Sequence, residues 1–250
     1  MNNTSDEKWL IVCDIDGTLL LPALDNPGLE QFNLFVEKNR NRIILALNSG
    51  RSLDEVAMVA EFGPIARPDW LICGVGTSLY SGFTPDTADA EWEDLMGHDW
   101  LREDIREALA ACPGLTEQEA WNQHTAKLSY YFDDPPATVL PEIIRLTAKW
   151  KGQFKQIVCL DRYLDIMPLW GGKGAPVQYL AGKLGVPRSR VIVSGDSGND
   201  HDMLDRGYPS ILVVNHAPDL NDLVGAKDIF ASKKPAASGV LEGMAFFGLS

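Results

Sequence analysis

The chain has 250 residues, 45% of them apolar and 23% charged, a balance that suits a globular enzyme of one large domain or two modest ones. Its net charge of −13 argues against sequence-independent binding to nucleic acid or an anionic membrane, which needs a basic face, yet leaves room for a locally positive pocket that takes a phosphate-bearing small molecule. No apolar run approaches the ~18 residues of a membrane span. The polar N-terminus lacks a signal-like apolar segment, so a cytoplasmic location is expected. The Asn2-Asn3-Thr4 and Asn3-Thr4-Ser5 glycosylation patterns then carry no weight. Four scattered cysteines, Cys13, Cys73, Cys112 and Cys159, form no CxxC pair, which predicts neither a zinc site nor a disulfide framework.

Short apolar runs alternate with helical patterns, predicting a parallel α/β sheet. The first run, Trp9 to Cys13, precedes a helix opening at Asn26-Pro27 with Leu29, Phe32 and Phe35/Val36 on one face. The second, RIILAL (42–47), ends at NSGRSLDEV, where Ser52 and Glu55 have capping-box spacing. Val56, Val59 and Ala60 continue that helix, and Gly63-Pro64 closes it. DWLICGVG (69–76) reads as the next parallel strand. From about Thr84 to Leu164 the texture changes to an acidic, Trp-containing stretch, an alternating KLSYYF (127–132), a helical pattern over 136–150 and FKQIVCL (154–160). The sheet resumes with RVIVSG (190–195) and SILVVN (210–215), separated by a short segment around His201 to Leu204. The prediction is a core built from residues 1–84 and 166–250, interrupted by an α+β insert at 85–165.

Four stretches place oxygen or cationic groups at strand ends or helix starts. Asp14 and Asp16 stand two apart, so both carboxylates face one point beyond the first strand, where open parallel sheets bind ligands. Such a pair suits a Mg²⁺ site, a nucleophile with an acid/base partner, or both; a solvated Asp turn uses the same residues. Ser49, Gly50 and Arg51 lie between a strand end and a helix start, a natural anion site, although a plain turn has the same composition. Lys173 in GGKGAP either reaches into a site as a fixed charge or sits in an exposed loop. It is no Walker lysine, because Gly174 stands where Ser or Thr is required. Asp196, Asn199 and Asp200 in GDSGND offer the oxygens a hard cation takes, or an Asp/Asn turn. GVGTSL (74–79) has Leu79 where the dinucleotide fingerprint needs glycine, so no Rossmann cofactor is expected.

Taken in order, DIDGTLL, NSGR, Lys173 and GDSGND resemble the four motifs of the haloacid dehalogenase (HAD) superfamily, and the insert lies where its larger type-II cap belongs. GVGT, KLSYYF, LDIMP and GGKG add a similarity to the sucrose-phosphatase-like branch. The resemblance implies a Rossmann-like α/β HAD core with an α+β cap. It implies a Mg²⁺-dependent phosphatase acting on a phosphorylated disaccharide, of the sucrose-phosphate or mannosylfructose-phosphate type, through an aspartyl-phosphate. Asp14 would be the nucleophile and Asp16 the general acid, then base. Mg²⁺ would be held by Asp14, the Asp16 carbonyl and Asp196, with Asn199 and Asp200 in support; alternatively Asp200 orients Lys173. Ser49, the Gly50 amide and Lys173 would offset the phosphoryl charge, with Arg51 on the phosphate or the sugar. In the cap, Lys127 is expected at a sugar hydroxyl and Asp165 less directly, while Trp92, Trp100 and Trp121 either stack on sugar or fill the core. The expected partner is a sugar phosphate made by an upstream synthase, with no nucleic acid and no membrane. A sugar phosphomutase of the same superfamily and a non-catalytic sugar-phosphate-binding protein are the alternatives; the long insert disfavours a receiver domain.

Overall fold

The computed structural model describes residues 8–22, 26–61, 63–97 and 100–250. The two glycosylation patterns at Asn2 and Asn3 lie outside them. The first half of the large sheet is β1 (Trp9–Cys13), β2 (Ile43–Asn48), β3 (Trp70–Cys73) and β4 (Ser78–Tyr80), with α1 (Leu29–Lys38) and α2 (Leu53–Glu61) as crossovers. There follow α3 (Ala90–Gly97), α4 (Arg102–Leu109), β5 (Leu115–Glu117), β6 (Leu128–Phe132), α5 (Pro136–Leu146), β7 (Phe154–Cys159) and β8 (Tyr163–Pro168). The chain then returns through α6 (Gly174–Leu184), β9 (Val191–Gly195), α7 (His201–Leu204), β10 (Ser210–Leu212), β11 (Ile229–Ala231) and α8 (Ala236–Phe246).

The large sheet has the order β11-β10-β9-β1-β2-β3-β4, and every pairing is parallel except β3 with β4. β1 explains its own central place. Ile11 and Cys13 face a core shared with Phe32 and Val36 of α1 and Val240 and Met244 of α8. Leu10 and Val12 face the opposite core, with Val177 and Leu180 of α6 and Met203 and Leu204 of α7. A strand buried on both faces reads as a continuous apolar run, as WLIVC does. The fold is thus an α/β sandwich around a mostly parallel sheet, as the alternation of runs and helices predicts. Among the described residues no helix is long and apolar enough to cross a membrane.

The small sheet, β5-β6-β8-β7, is antiparallel throughout and packs its own core from Ile105, Leu128, Tyr130, Ile143, Leu164 and Ile166. Two features bear on the expected boundaries near 85 and 165. Trp92 and Met96 of α3 are buried in the large-sheet core, and β8 runs through 165 to Pro168. The elements that serve the small sheet therefore span α4 to β8.

Candidate active site

The strand order reverses direction between β1 and β9, and such a switch point opens a crevice at the carboxyl ends of the strands. Asp14 follows β1 and Asp196 follows β9, one on each side of that crevice. Gly17, at φ +89°, turns the chain tightly there; a Cβ on it would collide with the Asp196 carboxylate. Thr18 Oγ1 donates to Asp196 Oδ1 at 3.0 Å, and Lys173, fully buried at the start of α6, places Nζ 2.5 Å from Asp14 and 2.7 Å from Asp200. Asp14, Asp196 and Asp200 offer carboxylate oxygens that lie within 4.8 Å of one another.

Charge governs what this cluster can hold. Burial pushes the Asp14 carboxyl well above the ordinary range, against the pull of Lys173 and with the repulsion of Asp200 and Asp196. Burial, then Asp200, pushes Asp196 up to about 7. Lys173 is raised, because Asp14 and Asp200 outweigh the burial that would lower it. With all three carboxylates ionised against one ammonium, two negative charges are in excess, which a divalent cation bound by hard oxygen donors would balance. Asp200 is the least available donor. Its Oδ1 accepts Lys173, and its Oδ2 accepts the amides of Asp196 and Ser197 at 3.0 and 3.1 Å. Ser197 and Asp200 thereby form a capping box on the Gly198–Asp200 turn, a Ser-x-x-Asp signal legible in GDSGND and missed in the sequence reading. Of the two roles open to Asp200, holding Lys173 is the one its contacts serve. Asp14 and Asp196 are left as the side chains that fit a cation.

Asp14 and Asp16 line one cleft of about 460 Å³, but their surroundings differ sharply. Asp14 is buried, whereas the Asp16 side chain is 55% exposed and gripped by Arg51, whose Nε and Nη2 donate to its two oxygens at 2.7 and 2.6 Å. Arg51, expected on a phosphate or a sugar, is therefore on Asp16 here, across the gap between the end of β1 and the loop that leads into α2. Ser49 is buried beside the cleft and its Oγ accepts the Arg51 amide at 3.2 Å; Gly50 opens on the same space, with Asn199 facing it. The Ser52 amide and hydroxyl both donate to Glu55 at 2.9 Å, fastening the loop to the helix.

The small sheet supplies the far wall. Lys127 and Asp165, singled out separately in the sequence, form one pair at 3.3 Å with side chains 7% and 15% exposed, and Ser129 Oγ donates to Asp165 at 2.6 Å. Tyr131 and Tyr163, with ring centroids 5.9 Å apart, and the amides Gln118 and Asn122 line the same cleft and were missed. A signal for Tyr131 existed: in a strand 127, 129 and 131 share a face while Leu128, Tyr130 and Phe132 take the core. The tryptophans do not line this cleft. Trp92 is core and donates to the Gly76 carbonyl, Trp100 donates to the Thr125 carbonyl, and Trp121 is exposed over a neighbouring hollow. Burial raises the Cys13 and Cys73 thiols to about 12 and Cys159, on the cleft wall, to about 11, so none supplies a thiolate near neutrality.

A buried carboxylate beside a buried lysine, a second carboxylate within the same cleft and a polar wall opposite make a site for phosphoryl transfer to or from a polar alcohol. The same fold occurs in a subclass IIB sugar phosphatase of the HAD superfamily, at a TM-score of 0.71 and 14% identity over 97% of this chain and 100% of that one. The sucrose-phosphatase from Synechocystis sp., solved with sucrose and phosphate, matches with a TM-score of 0.88 and 25% identity over 97% of this chain and 98% of that one. The class is that of sugar-phosphate phosphatases, which are phosphoric monoester hydrolases. The model of the sucrose-6F-phosphate phosphohydrolase family matches residues 7–248, and the chain belongs to that family. The mannosylfructose-phosphate phosphatase of Agrobacterium fabrum is 31% identical over 96% of this chain and 97% of its own length. Sucrose-phosphatase 1 of Nicotiana tabacum is 28% identical over 98% of this chain, which spans 60% of the tobacco protein.

Proposed function

We propose that the protein is a Mg²⁺-dependent phosphatase that hydrolyses a phosphorylated disaccharide, of the sucrose-phosphate or mannosylfructose-phosphate type, by way of a phosphoryl group carried on Asp14. The observation that carries this reading is Asp14 itself: buried, 2.5 Å from the Lys173 ammonium, at the floor of a cleft whose far wall is polar and aromatic. The large-sheet unit, with α3, would act as the catalytic core, and the unit from α4 to β8 as its cap. Asp14 attacks phosphorus in line while the sugar oxygen leaves, and Asp16 gives that oxygen a proton. Asp16 then takes a proton from the water that attacks the Asp14-bound phosphorus, releasing phosphate and restoring Asp14. Arg51 must first let go of Asp16, and a phosphate dianion is the partner able to draw it away. Lys173, the Ser49 hydroxyl and the Gly50 amide offset charge on the phosphoryl oxygens, with Asn199 alongside. When bound by Asp14, Asp196 and the Asp16 carbonyl, Mg²⁺ supplies further positive charge to those oxygens.

Lys127 and Asp165 suit the hydroxyls of a sugar, and Tyr131 and Tyr163 its C–H faces. A substrate of this kind is the product of a sugar-phosphate synthase, which is the class of enzyme expected upstream. The test is phosphate release from a disaccharide phosphate and from simple hexose phosphates, with the isomer measured in parallel. Faster release from the disaccharide supports the reading. Isomerisation without release makes the protein a mutase, and binding without either makes it a sensor.

A further inference from the structure

The backbone around Lys173 is held from outside the phosphoryl site. Lys155, on β7 of the small sheet, donates to the Gly171 carbonyl at 2.9 Å, and Asp202 Oδ2 accepts the Gly174 amide at 3.0 Å. Lys155 Nζ and Asp202 Oδ2 meet at 3.3 Å, so together they grip the chain on either side of Gly172 and Lys173. Arg206 braces Asp202 through its other oxygen at 2.7 Å. Two of the glycines of GGKG, Gly172 and Gly174, follow from this clamp. A Cβ on Gly172, at φ +97°, would lie 2.6 Å from Asp202 Oδ2 and 2.9 Å from Lys155 Nζ, and one on Gly174 would collide with Arg206. These two are glycine because polar side chains occupy the space, whereas a Cβ on Gly171 would meet Met167. From the other side, Asn48 donates to the Lys173 carbonyl at 2.9 Å and the Gly172 amide donates to Val75 at 3.1 Å.

A lysine is a compact charge on a flexible stem, so the place of its ammonium depends on how firmly its backbone is held. Asp202 and Lys155 act on that backbone, and they come from different parts of the fold: Asp202 from α7, Lys155 from the small sheet. We propose that Asp202 is a positioning residue for Lys173, and that Lys155 ties the small sheet into the same clamp, so that the cover of the cleft and the cation at its floor are set together. The proposal rests on the reading of Lys173 as the charge that offsets the phosphoryl group.

The test compares Asp202→Asn, Lys155→Met and the double variant, using a disaccharide phosphate and p-nitrophenyl phosphate, with thermal melting of each protein followed by circular dichroism. The phosphoryl group is common to both substrates, so Asp202→Asn lowers kcat about tenfold on both, with KM changed less than about twofold. Lys155→Met lowers kcat about threefold and adds little in the Asp202→Asn background, because the two residues work through one clamp. A loss confined to the disaccharide phosphate overturns the proposal, since it makes the clamp a docking contact only. Unchanged kcat, fully additive losses, or losses that merely follow a fall in Tm overturn it as well. If the wild-type protein cleaves the aryl phosphate and no sugar phosphate, the substrate reading fails, while the aryl-phosphate comparison still decides the clamp.

Discussion

Replacing Lys173 by methionine keeps much of the side-chain volume and removes the one ammonium between Asp14 and Asp200. Lys173 is 0% exposed, so the substitution leaves buried carboxylates without their partner, a loss worth ~3–5 kcal/mol. At ~2–4 °C per kcal/mol for a protein of this size, Tm should fall by about 10 °C in the absence of metal. The sign with pH is fixed by Asp14, whose folded-state pKa is already raised by burial and loses its main lowering influence with Lys173. A raised carboxyl contributes stability below its unfolded value and loses it as pH rises through the folded one. The deficit of the variant should therefore be small near pH 5 and grow toward pH 8. Adding Asp200→Asn to Lys173→Met removes one of the stranded charges and should recover part of the loss. Differential scanning calorimetry at both pH values, with and without Mg²⁺, measures all of this, and kcat should fall by about two orders of magnitude or more. A Tm within about 2 °C of wild type at both pH values would refute the buried-charge reasoning.

Asp196, pushed up to about 7, must release its proton before it can hold a cation. Calorimetric Mg²⁺ affinity should rise steeply from pH 6 to 7, and Asp196→Asn should weaken binding and blunt the rise, leaving the part that Asp14 carries; a flat wild-type profile contradicts the assignment. Lys127→Met breaks the pair with Asp165 on the far wall of the cleft, and KM for a disaccharide phosphate should increase about tenfold, more than for an aryl phosphate. Leu160 and Asp161 hold φ of 54° and 50° in the turn closed by the Arg162 amide on the Cys159 carbonyl, and Leu160 is 59% exposed. Leu160→Asn, better suited to that backbone, should raise Tm by about 2 °C, and a lower Tm would show that Leu160 packs rather than strains.

The parts of the fold legible in the sequence are those where one chemical signal dominates. WLIVC, IILALN and VIVSG are apolar on both faces and read as central strands, and each ends where a charged or polar loop begins. β4, β5 and β11 are three residues long and sit at sheet edges, where pairing with one neighbour fixes them and no apolar run marks them. The site was legible as residue types but not as partnerships. Lys173 was visible as a lysine among glycines, yet its burial against Asp14 and Asp200 depends on α6 meeting two strand ends from opposite parts of the chain. Asp14 and Asp16 looked equivalent at i and i+2. The tertiary fold gives one a lysine from the start of α6 and the other an arginine from the loop before α2. Asp202 carried no motif and became visible only through what it touches.

The central claim is that Asp14 carries the phosphoryl group in passing from sugar to water. Rapid acid quench during turnover of a disaccharide phosphate, followed by mass spectrometry of the peptide spanning Asp14, tests it most directly. The account predicts a phosphoryl group on Asp14 in the wild-type protein and neither that adduct nor turnover in Asp14→Asn. Wild-type turnover by Asp14→Asn, or a phosphoryl group on another residue, would contradict it.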